Sequence, residues 1–161
     1  MSSAKTTTMP VTGDKAPTFK LPSSTGDFVN LADYKDKTVV LYFYPKADTP
    51  GCTTEACGFR DAIAAYRKLD VAVFGISPDP AEAVTKFAKK YKLNFPLLAD
   101  ADHAVADRYG VWGEKSMYGR KYLGALRTTF IIKSGKIAHV FEKVKPAGHD
   151  QEVLEWLKAN D

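Results

Sequence analysis

Cysteine is scarce in this chain, and long apolar runs are absent. Two cysteines among 161 residues are too few for the disulfide framework of a small secreted protein, and a chain of this length can build its core without one. No stretch approaches the roughly 18 apolar residues of a membrane-spanning helix, so we expect no membrane segment. Residues 1–9 lack the apolar centre of a secretory signal and predict a disordered tail ahead of one domain over residues 10–161.

Strong charge is lacking as well. The net charge is only +4, and the lysines are scattered along the chain instead of being gathered on one element. A nucleic-acid-binding surface concentrates Lys and Arg on one element, with aromatic residues between them. We therefore expect no nucleic-acid partner.

Hydrophobic periodicity and turn residues divide the chain into short elements. The predicted strands are a hairpin at 19–21 and 28–31, buried strands at 38–44, 71–77 and 95–98, and a second hairpin at 128–132 and 136–141. The predicted helices cover 50–68, 80–91 with Asp79 as its cap, 103–109 and 149–159. Residues 111–124 are punctuated by glycine and predict a loop.

The order of these elements indicates an α/β fold. A strand, a helix and a strand over residues 38–77 form a βαβ unit, whose two strands should be parallel. A β-hairpin and a last helix follow. This order predicts a thioredoxin-like fold: a central mixed β-sheet flanked by helices, with an added N-terminal hairpin and inserted helix and strand elements. A fold of this kind does not by itself define a function.

Both cysteines lie in one segment at the predicted start of the helix over 50–68. Thr49 is a suitable N-cap, Pro50 suits the first helical position, and Gly51 lets the backbone approach a ligand. Cys52 should then lie in the first turn, where free amide groups and the helix dipole favour a thiolate. Such a thiolate can attack an electrophilic oxygen or sulfur.

Cys57 follows with four residues between the two cysteines. In an intact helix, Cα atoms five positions apart are about 8.7 Å from each other, beyond the limit of about 7 Å for a disulfide. A bond between them therefore requires the start of the helix to unwind. This predicts a cycle in which Cys52 reacts, the helix start unwinds, Cys57 condenses with the oxidised sulfur, and an external reductant restores both thiols.

Other interpretations of the pair stay open at this point. A metal site is disfavoured, because zinc takes four ligands and the three histidines lie far away in sequence. Two inert cysteines in a helix are common, but the Pro-Gly turn before Cys52 is not typical of them. The alternatives to an enzyme are a redox sensor that passes its disulfide to a partner and a binding module with spectator cysteines.

With these residues in view, the chain resembles a peroxiredoxin of the bacterioferritin comigratory protein (PrxQ) subfamily. The resemblance covers residues 10–158 and rests on five stretches in the expected order. They are Phe43–Asp61, which contains Pro45-x-x-x-Thr49-x-x-Cys52, and then Gly75–Asp79, Phe95–Asp100, Tyr109–Lys115 and Arg127–Ile132.

The resemblance implies an atypical 2-Cys, thioredoxin-dependent peroxidase that reduces hydrogen peroxide and organic hydroperoxides. It makes Cys52 the peroxidatic cysteine and Cys57 the resolving cysteine. Arg127 would lie beside the thiolate, Thr49 would bind the peroxide, and Pro45 would shield the site.

The resemblance also implies a polar cradle made by the backbone amides of Gly51 and Cys52, and Tyr44 is a candidate for the pocket wall. No cofactor or metal is expected. The expected partners are a hydroperoxide and thioredoxin or a similar dithiol reductant. A cytoplasmic monomer with a role in antioxidant defence is expected, while a weak dimer and an organelle location stay open.

Overall fold

The structure, a computed structural model, describes residues 8–117 and 119–160. Its strands are β1 (Lys20–Pro22), β2 (Phe28–Asn30), β3 (Thr38–Phe43), β4 (Val71–Ser77), β5 (Leu97–Ala99), β6 (Trp112–Met117), β7 (Arg120–Ala125), β8 (Thr128–Lys133) and β9 (Lys136–Phe141). Its α-helices are α1 (Pro50–Lys68), α2 (Ala81–Lys90), α3 (Ala104–Arg108) and α4 (His149–Ala159). A 3₁₀ helix covers Leu31–Tyr34.

The centre of the molecule is a mixed sheet with the strand order β5-β4-β3-β8-β9. The strands β3, β4 and β5 are parallel, whereas β8 is antiparallel to β3 and β9 is antiparallel to β8. The strands β1 and β2 pair antiparallel beside this sheet. The predicted mixed sheet, the N-terminal hairpin and the parallel βαβ unit are confirmed.

The sheet is buried on both faces, which explains the continuous apolar sequence of its central strands. Alternate residues of β3 enter two different clusters: Val40 and Tyr42 face α1, α2 and α4, while Leu41 and Phe43 face the N-terminal segment and α3. The first cluster contains Cys52, so the candidate thiol belongs to the layer formed by α1, α2 and α4.

Several predicted bounds agree with the structure, since α1, β4 and α4 begin and end where the sequence pattern placed them. The apolar residues of α1 recur at three- and four-residue steps and form its buried face. The residues on that face are Cys52, Glu55, Ala56, Phe59, Ile63 and Tyr66.

The predicted loop over residues 111–124 is wrong. These residues form most of an antiparallel hairpin, β6 with β7, whose register runs from Trp112 opposite Ala125 to Met117 opposite Arg120. Gly113 pairs directly with Gly124. The backbone bonds of a two-stranded ladder do not depend on side chains, so the glycines interrupt the apolar pattern without interrupting the strands.

The predicted cap of α2 is also wrong. Pro80 occupies the N-cap position, and its side chain makes no capping hydrogen bond. Asp79 lies before it, and its Oδ2 instead accepts hydrogen bonds from the Ala47 amide at 2.8 Å and the Ser77 hydroxyl at 2.7 Å. A carboxylate with these two donors fixes the loop after β3 against the end of β4.

The predicted disordered tail, residues 1–9, lies largely outside the described residues. Met9 is described and packs against the cluster that contains Phe43. A Cβ on Gly110, whose φ is +68°, would lie 2.5 Å from the Met9 amide nitrogen, so the close approach requires glycine there. Within the described residues, no helix is long and apolar enough to cross a membrane.

Replacing Gly75 tests the packing of α1 on the sheet. A Cβ on Gly75 would lie 2.7 Å from Cζ of Tyr42, a fully buried ring that stacks on Phe59 of α1 at a centroid distance of 4.7 Å. We expect Gly75→Ala to lower the free energy of unfolding by about 1–3 kcal/mol, because a buried ring stacked on Phe59 has to shift to admit the methyl group. Urea unfolding followed by circular dichroism measures the change.

Gly113→Ala is the matched control for this substitution. Gly113 also lies in a strand, but a Cβ there would meet only Leu126 at an ordinary 3.4 Å. We expect its free energy of unfolding to change by less than about 0.5 kcal/mol. Equal losses in the two variants would contradict the packing argument.

Candidate active site

The sheet register brings two distant parts of the sequence to one edge of the molecule. The strand β3 ends at Phe43, which pairs with Thr128 at the start of β8. Arg127 therefore lies beside the end of β3, where the chain leaves the sheet towards α1. This antiparallel pairing is the reason that Arg127 and Cys52 meet although 75 positions separate them.

Helix α1 begins as the sequence indicates. Thr49 is the N-cap residue, Pro50 is the first helical residue, and the first helical hydrogen bond joins the Thr53 amide to the Thr49 carbonyl. The amides of Gly51 and Cys52 thus have no acceptor within the helix and point out of its end. Cys52 occupies the third helical position, as predicted.

Thr49 occupies the expected N-cap position, but its side chain does not bond to the helix end. Its hydroxyl donates to the carbonyl of Lys46 at 2.9 Å and makes no capping hydrogen bond. This bond closes the loop before α1, and the helix end does not use the hydroxyl.

Cys52 is a buried thiol with a charged partner. Its side chain is 1% exposed, and Nη2 of Arg127 donates to Sγ at 3.3 Å. Burial lowers the pKa of Arg127, but the charges and hydrogen bonds of Cys52 and Glu55 outweigh burial and leave that pKa above its ordinary value. The guanidinium therefore stays protonated and places a full positive charge beside the sulfur.

Gly51 makes room for this arginine. A Cβ at that position would lie 3.2 Å from Nη2 of Arg127 and 3.4 Å from Cγ of Pro146. A larger residue would push the guanidinium away from the first turn of α1. Arg127 can therefore lie beside the first turn of α1 only because residue 51 has no side chain.

Glu55 is the site residue that sequence reasoning missed. Its side chain is 1% exposed, and its Oε1 accepts a hydrogen bond from Nη1 of Arg127 at 2.6 Å. Its Oε2 has no hydrogen-bond partner among the described residues. The sequence did contain a sign of this role. Glu55 is three residues after Cys52, so the helix places both on the same buried face of α1.

Burial dominates the ionisation of Glu55. It raises the pKa of that carboxyl to about 7, although the Arg127 charge and hydrogen bond act in the opposite direction. Near neutral pH, Glu55 therefore exchanges between a neutral acid and an ion-paired carboxylate. In both forms the carboxyl oxygen can hold the guanidinium in its orientation.

Pro45 and Tyr44 lie at the same edge. Pro45 is half-buried and begins the loop to α1. Tyr44 is completely buried, with ring centroids 5.5 Å from Tyr42 and 6.1 Å from Phe87. Burial holds its pKa far above the ordinary value, so the Tyr44 phenol stays neutral. Tyr44 belongs to the same buried cluster as Cys52, and Pro45 follows it directly in the chain.

Cys57 lies five residues further along α1, and both cysteines are free thiols. Cys57 is half-buried, at the side of the buried face that carries Cys52 and Ala56. Since α1 is continuous from Pro50 to Lys68, the two cysteines are in the helical arrangement that prevents a direct bond. Among the described residues, no group of three or more His, Cys, Asp or Glu side chains could hold a metal ion.

Comparison with known proteins places this chain in a family. Residues 12–140 match the model of the AhpC/TSA family. Peroxiredoxin Bcp of Escherichia coli (strain K12) is 51% identical over 147 residues, which cover 91% of this chain and 94% of that protein.

Solved structures agree with the sequence comparison. A Cys-to-Ser variant of PrxQ from Xylella fastidiosa has a TM-score of 0.89 at 32% identity and covers 96% of this chain and 99% of its own. A bacterioferritin comigratory protein of Xanthomonas campestris, solved in work on its alkyl peroxide reduction activity, has a TM-score of 0.84 at 33% identity with the same coverage. The chain therefore belongs to the AhpC/TSA family and, within it, to the thioredoxin-like, thiol-dependent peroxidases known as Bcp or PrxQ peroxiredoxins.

Proposed function

We propose that Cys52 is the peroxidatic cysteine of this enzyme and that Cys57 resolves its oxidised form. The observation that supports this proposal best is the contact of 3.3 Å between Nη2 of Arg127 and the buried sulfur of Cys52. A positive charge and the free amides of a helix start favour the thiolate, which is the reactive form of cysteine.

In the first step, the Cys52 thiolate attacks the terminal oxygen of a hydroperoxide. An S–O bond forms and the O–O bond breaks. The leaving oxygen takes up a proton, equivalent to the one released when the Cys52 thiol ionised, and becomes water or an alcohol. The guanidinium of Arg127 and the amides of Gly51 and Cys52 donate hydrogen bonds towards the oxygen on which negative charge develops. Cys52 becomes a sulfenic acid.

Thr49 and Pro45 complete the proposed site. A hydroxyl that donates to the Lys46 carbonyl keeps its lone pairs, with which Thr49 can accept a hydrogen bond from the O–H of the peroxide. Pro45 shields the sulfur from water, and Tyr44 forms the apolar wall behind the helix start.

In the second step, Cys57 attacks the sulfur of the sulfenic acid. A disulfide forms and one water leaves, so the peroxide oxygen that was transferred to Cys52 departs with the proton of Cys57. The first turns of α1 must unwind for this step, because its helical geometry keeps the two Cα atoms too far apart for a disulfide.

A dithiol protein then reduces the disulfide. We propose thioredoxin or a similar protein for this role, and a monomer in the cytoplasm as the working form, with no nucleic-acid or membrane partner. Hydrogen peroxide and organic hydroperoxides are the proposed substrates. The alkyl peroxide reduction activity of the Xanthomonas campestris relative supports the organic class.

Replacing each cysteine separates the two steps. With thioredoxin, thioredoxin reductase and hydrogen peroxide, the wild type should consume NADPH over many turnovers, and Cys52→Ser should consume none. Cys57→Ser should reduce one equivalent of peroxide and then stop as the sulfenic acid, which mass spectrometry detects as one added oxygen. Normal cycling of Cys57→Ser with thioredoxin would show that Cys57 is not the resolving thiol.

Glu55→Gln tests whether burial raises the pKa of the Glu55 carboxyl. The folded protein holds the Glu55 proton with a pKa of about 7, against 4.5 for the ordinary group. Between these pH values the unfolded chain has released a proton that the folded protein keeps, so rising pH lowers the free energy of unfolding. We expect the wild type to lose up to about 3 kcal/mol relative to Glu55→Gln as the pH rises from 4.5 to 7.

Urea unfolding at several pH values measures this difference. Glu114→Gln is the control, because Glu114 is 62% exposed and its replacement should leave the pH dependence unchanged. If the wild type instead gained stability over Glu55→Gln with rising pH, the Arg127 ion pair would outweigh burial.

A further inference from the structure

Both flanks of the segment that holds the two cysteines are attached to the same place, the C-terminal end of α2. The attachments are made by Lys90, the last residue of α2, and by Tyr91 and Asn94, which follow it. We call these three residues the α2 terminus. One attachment precedes Cys52 and the other follows Cys57. Tyr91 takes part in both, through its hydroxyl and its carbonyl.

The first attachment holds Asp48. Its Oδ1 accepts a hydrogen bond from the Tyr91 hydroxyl at 3.0 Å, and its Oδ2 accepts one from Nζ of Lys90 at 2.9 Å. Asp48 has a φ of +61°, a backbone conformation that residues other than glycine adopt at a cost. The two hydrogen bonds hold the loop in this conformation directly before Thr49.

The second attachment holds Arg60. Its Nη1 donates to the Tyr91 carbonyl at 2.8 Å, and its own carbonyl accepts a hydrogen bond from Nδ2 of Asn94 at 3.2 Å. The Leu93 amide bonds back to the Ala88 carbonyl, which closes α2 and leaves the Tyr91 carbonyl for Arg60.

Helix α4 strengthens this second attachment. A Cβ on Gly58 would lie 2.6 Å from Oδ1 of Asp150, so α1 and α4 are in direct contact one residue after Cys57. The Tyr66 hydroxyl donates to the Asp150 carbonyl at 2.7 Å. Phe59 is fully buried. Beyond Cys57, α1 is thus held by α4 and by the α2 terminus.

We propose that the α2 terminus confines the redox-linked unwinding of α1 to the chain between Asp48 and Arg60, and that the Tyr91 hydroxyl sets how readily Cys52 leaves its site to meet Cys57. This inference rests on the proposed Cys52–Cys57 disulfide. Tyr91 is a positioning residue, since it acts through its hydrogen bonds with Asp48 and Arg60.

The two cysteines differ in how firmly their surroundings hold them. Cys57 lies directly before a part of α1 that Tyr91, Asn94 and Asp150 hold. Cys52 instead lies in the first turn, behind a loop held by exposed groups. Cys52 therefore moves towards Cys57. A weaker hold on Asp48 favours unwinding, so the disulfide forms faster and less sulfenic acid survives to be oxidised further by peroxide.

Tyr91→Phe removes the hydroxyl and keeps the ring, which packs edge-on against Phe87 at a centroid distance of 5.5 Å. After one equivalent of hydrogen peroxide, acid quenching and mass spectrometry give the rate of disulfide formation. We expect this rate to rise about two- to tenfold, the effect of losing one hydrogen bond. At high peroxide the yield of sulfinic acid should fall, while the rate of the first oxidation stays within twofold of the wild type.

Two further variants support the measurement. Asp48→Asn weakens the same attachment and suits the left-handed backbone, so it should act in the same direction even if Tyr91→Phe folds poorly. Tyr109→Phe is the matched control, because it removes a hydroxyl that bonds to the Pro17 carbonyl at 2.6 Å on the opposite face of the sheet. Its rate of disulfide formation should equal that of the wild type.

Hydrogen exchange tests whether the unwinding of α1 stops at Arg60. In the oxidised wild type, amide exchange should rise over residues 51–58 and stay unchanged from residue 60 to residue 68. In oxidised Arg60→Lys, which loses the planar fork of the guanidinium, the region of faster exchange should extend towards Ile63.

The outcomes separate this inference from the function on which it rests. A wild type that forms no Cys52–Cys57 disulfide contradicts the proposed function and the inference together. If the wild type forms the disulfide, but Tyr91→Phe and Asp48→Asn form it at the wild-type rate, the inference alone is overturned. Faster exchange beyond residue 60 in the oxidised wild type would overturn the confinement.

Discussion

The contact between Arg127 and Cys52 is the interaction on which the site depends. Nη2 of Arg127 places a positive charge 3.3 Å from a sulfur that is 1% exposed to water. The pairing of β8 with β3 brings Arg127 to the thiol, and Glu55 holds the second nitrogen of the guanidinium at 2.6 Å. A shift of one residue in this register would turn the β8 side chains to the opposite face of the sheet.

In the proposed cycle, helix α1 has to meet two requirements that oppose each other. Its start must be ordered, because free amides stabilise a thiolate only when they point at it. The same start must also unwind if Cys52 is to reach Cys57. The helix meets both requirements by an uneven distribution of packing: Phe59, Ile63 and Tyr66 anchor its later turns in the core, whereas Pro50 and Gly51 begin it at the edge of the sheet.

The sequence predicted those elements that bury apolar residues at a regular spacing, and it missed features that depend on backbone groups or on distant partners. The bounds of α1 and β4 were predictable because burial of one helix face or of both strand faces requires apolar residues at fixed spacing. The hairpin of β6 and β7 was missed, since its ladder is made by backbone groups that leave little pattern in the sequence. The role of Asp79 was misassigned, because its donors, Ala47 and Ser77, come from other elements.

The sequence by itself determined the α/β architecture, the helix start that holds Cys52, and a spacing to Cys57 that no intact helix can bridge. These are local properties, set by the residues of one segment and by helix geometry. Only the tertiary structure decided that Glu55 holds Arg127 and that Tyr91 joins the two flanks of the cysteine segment. Such contacts arise from strand register and helix packing, which bring together groups that are distant in sequence and leave no periodic trace in it.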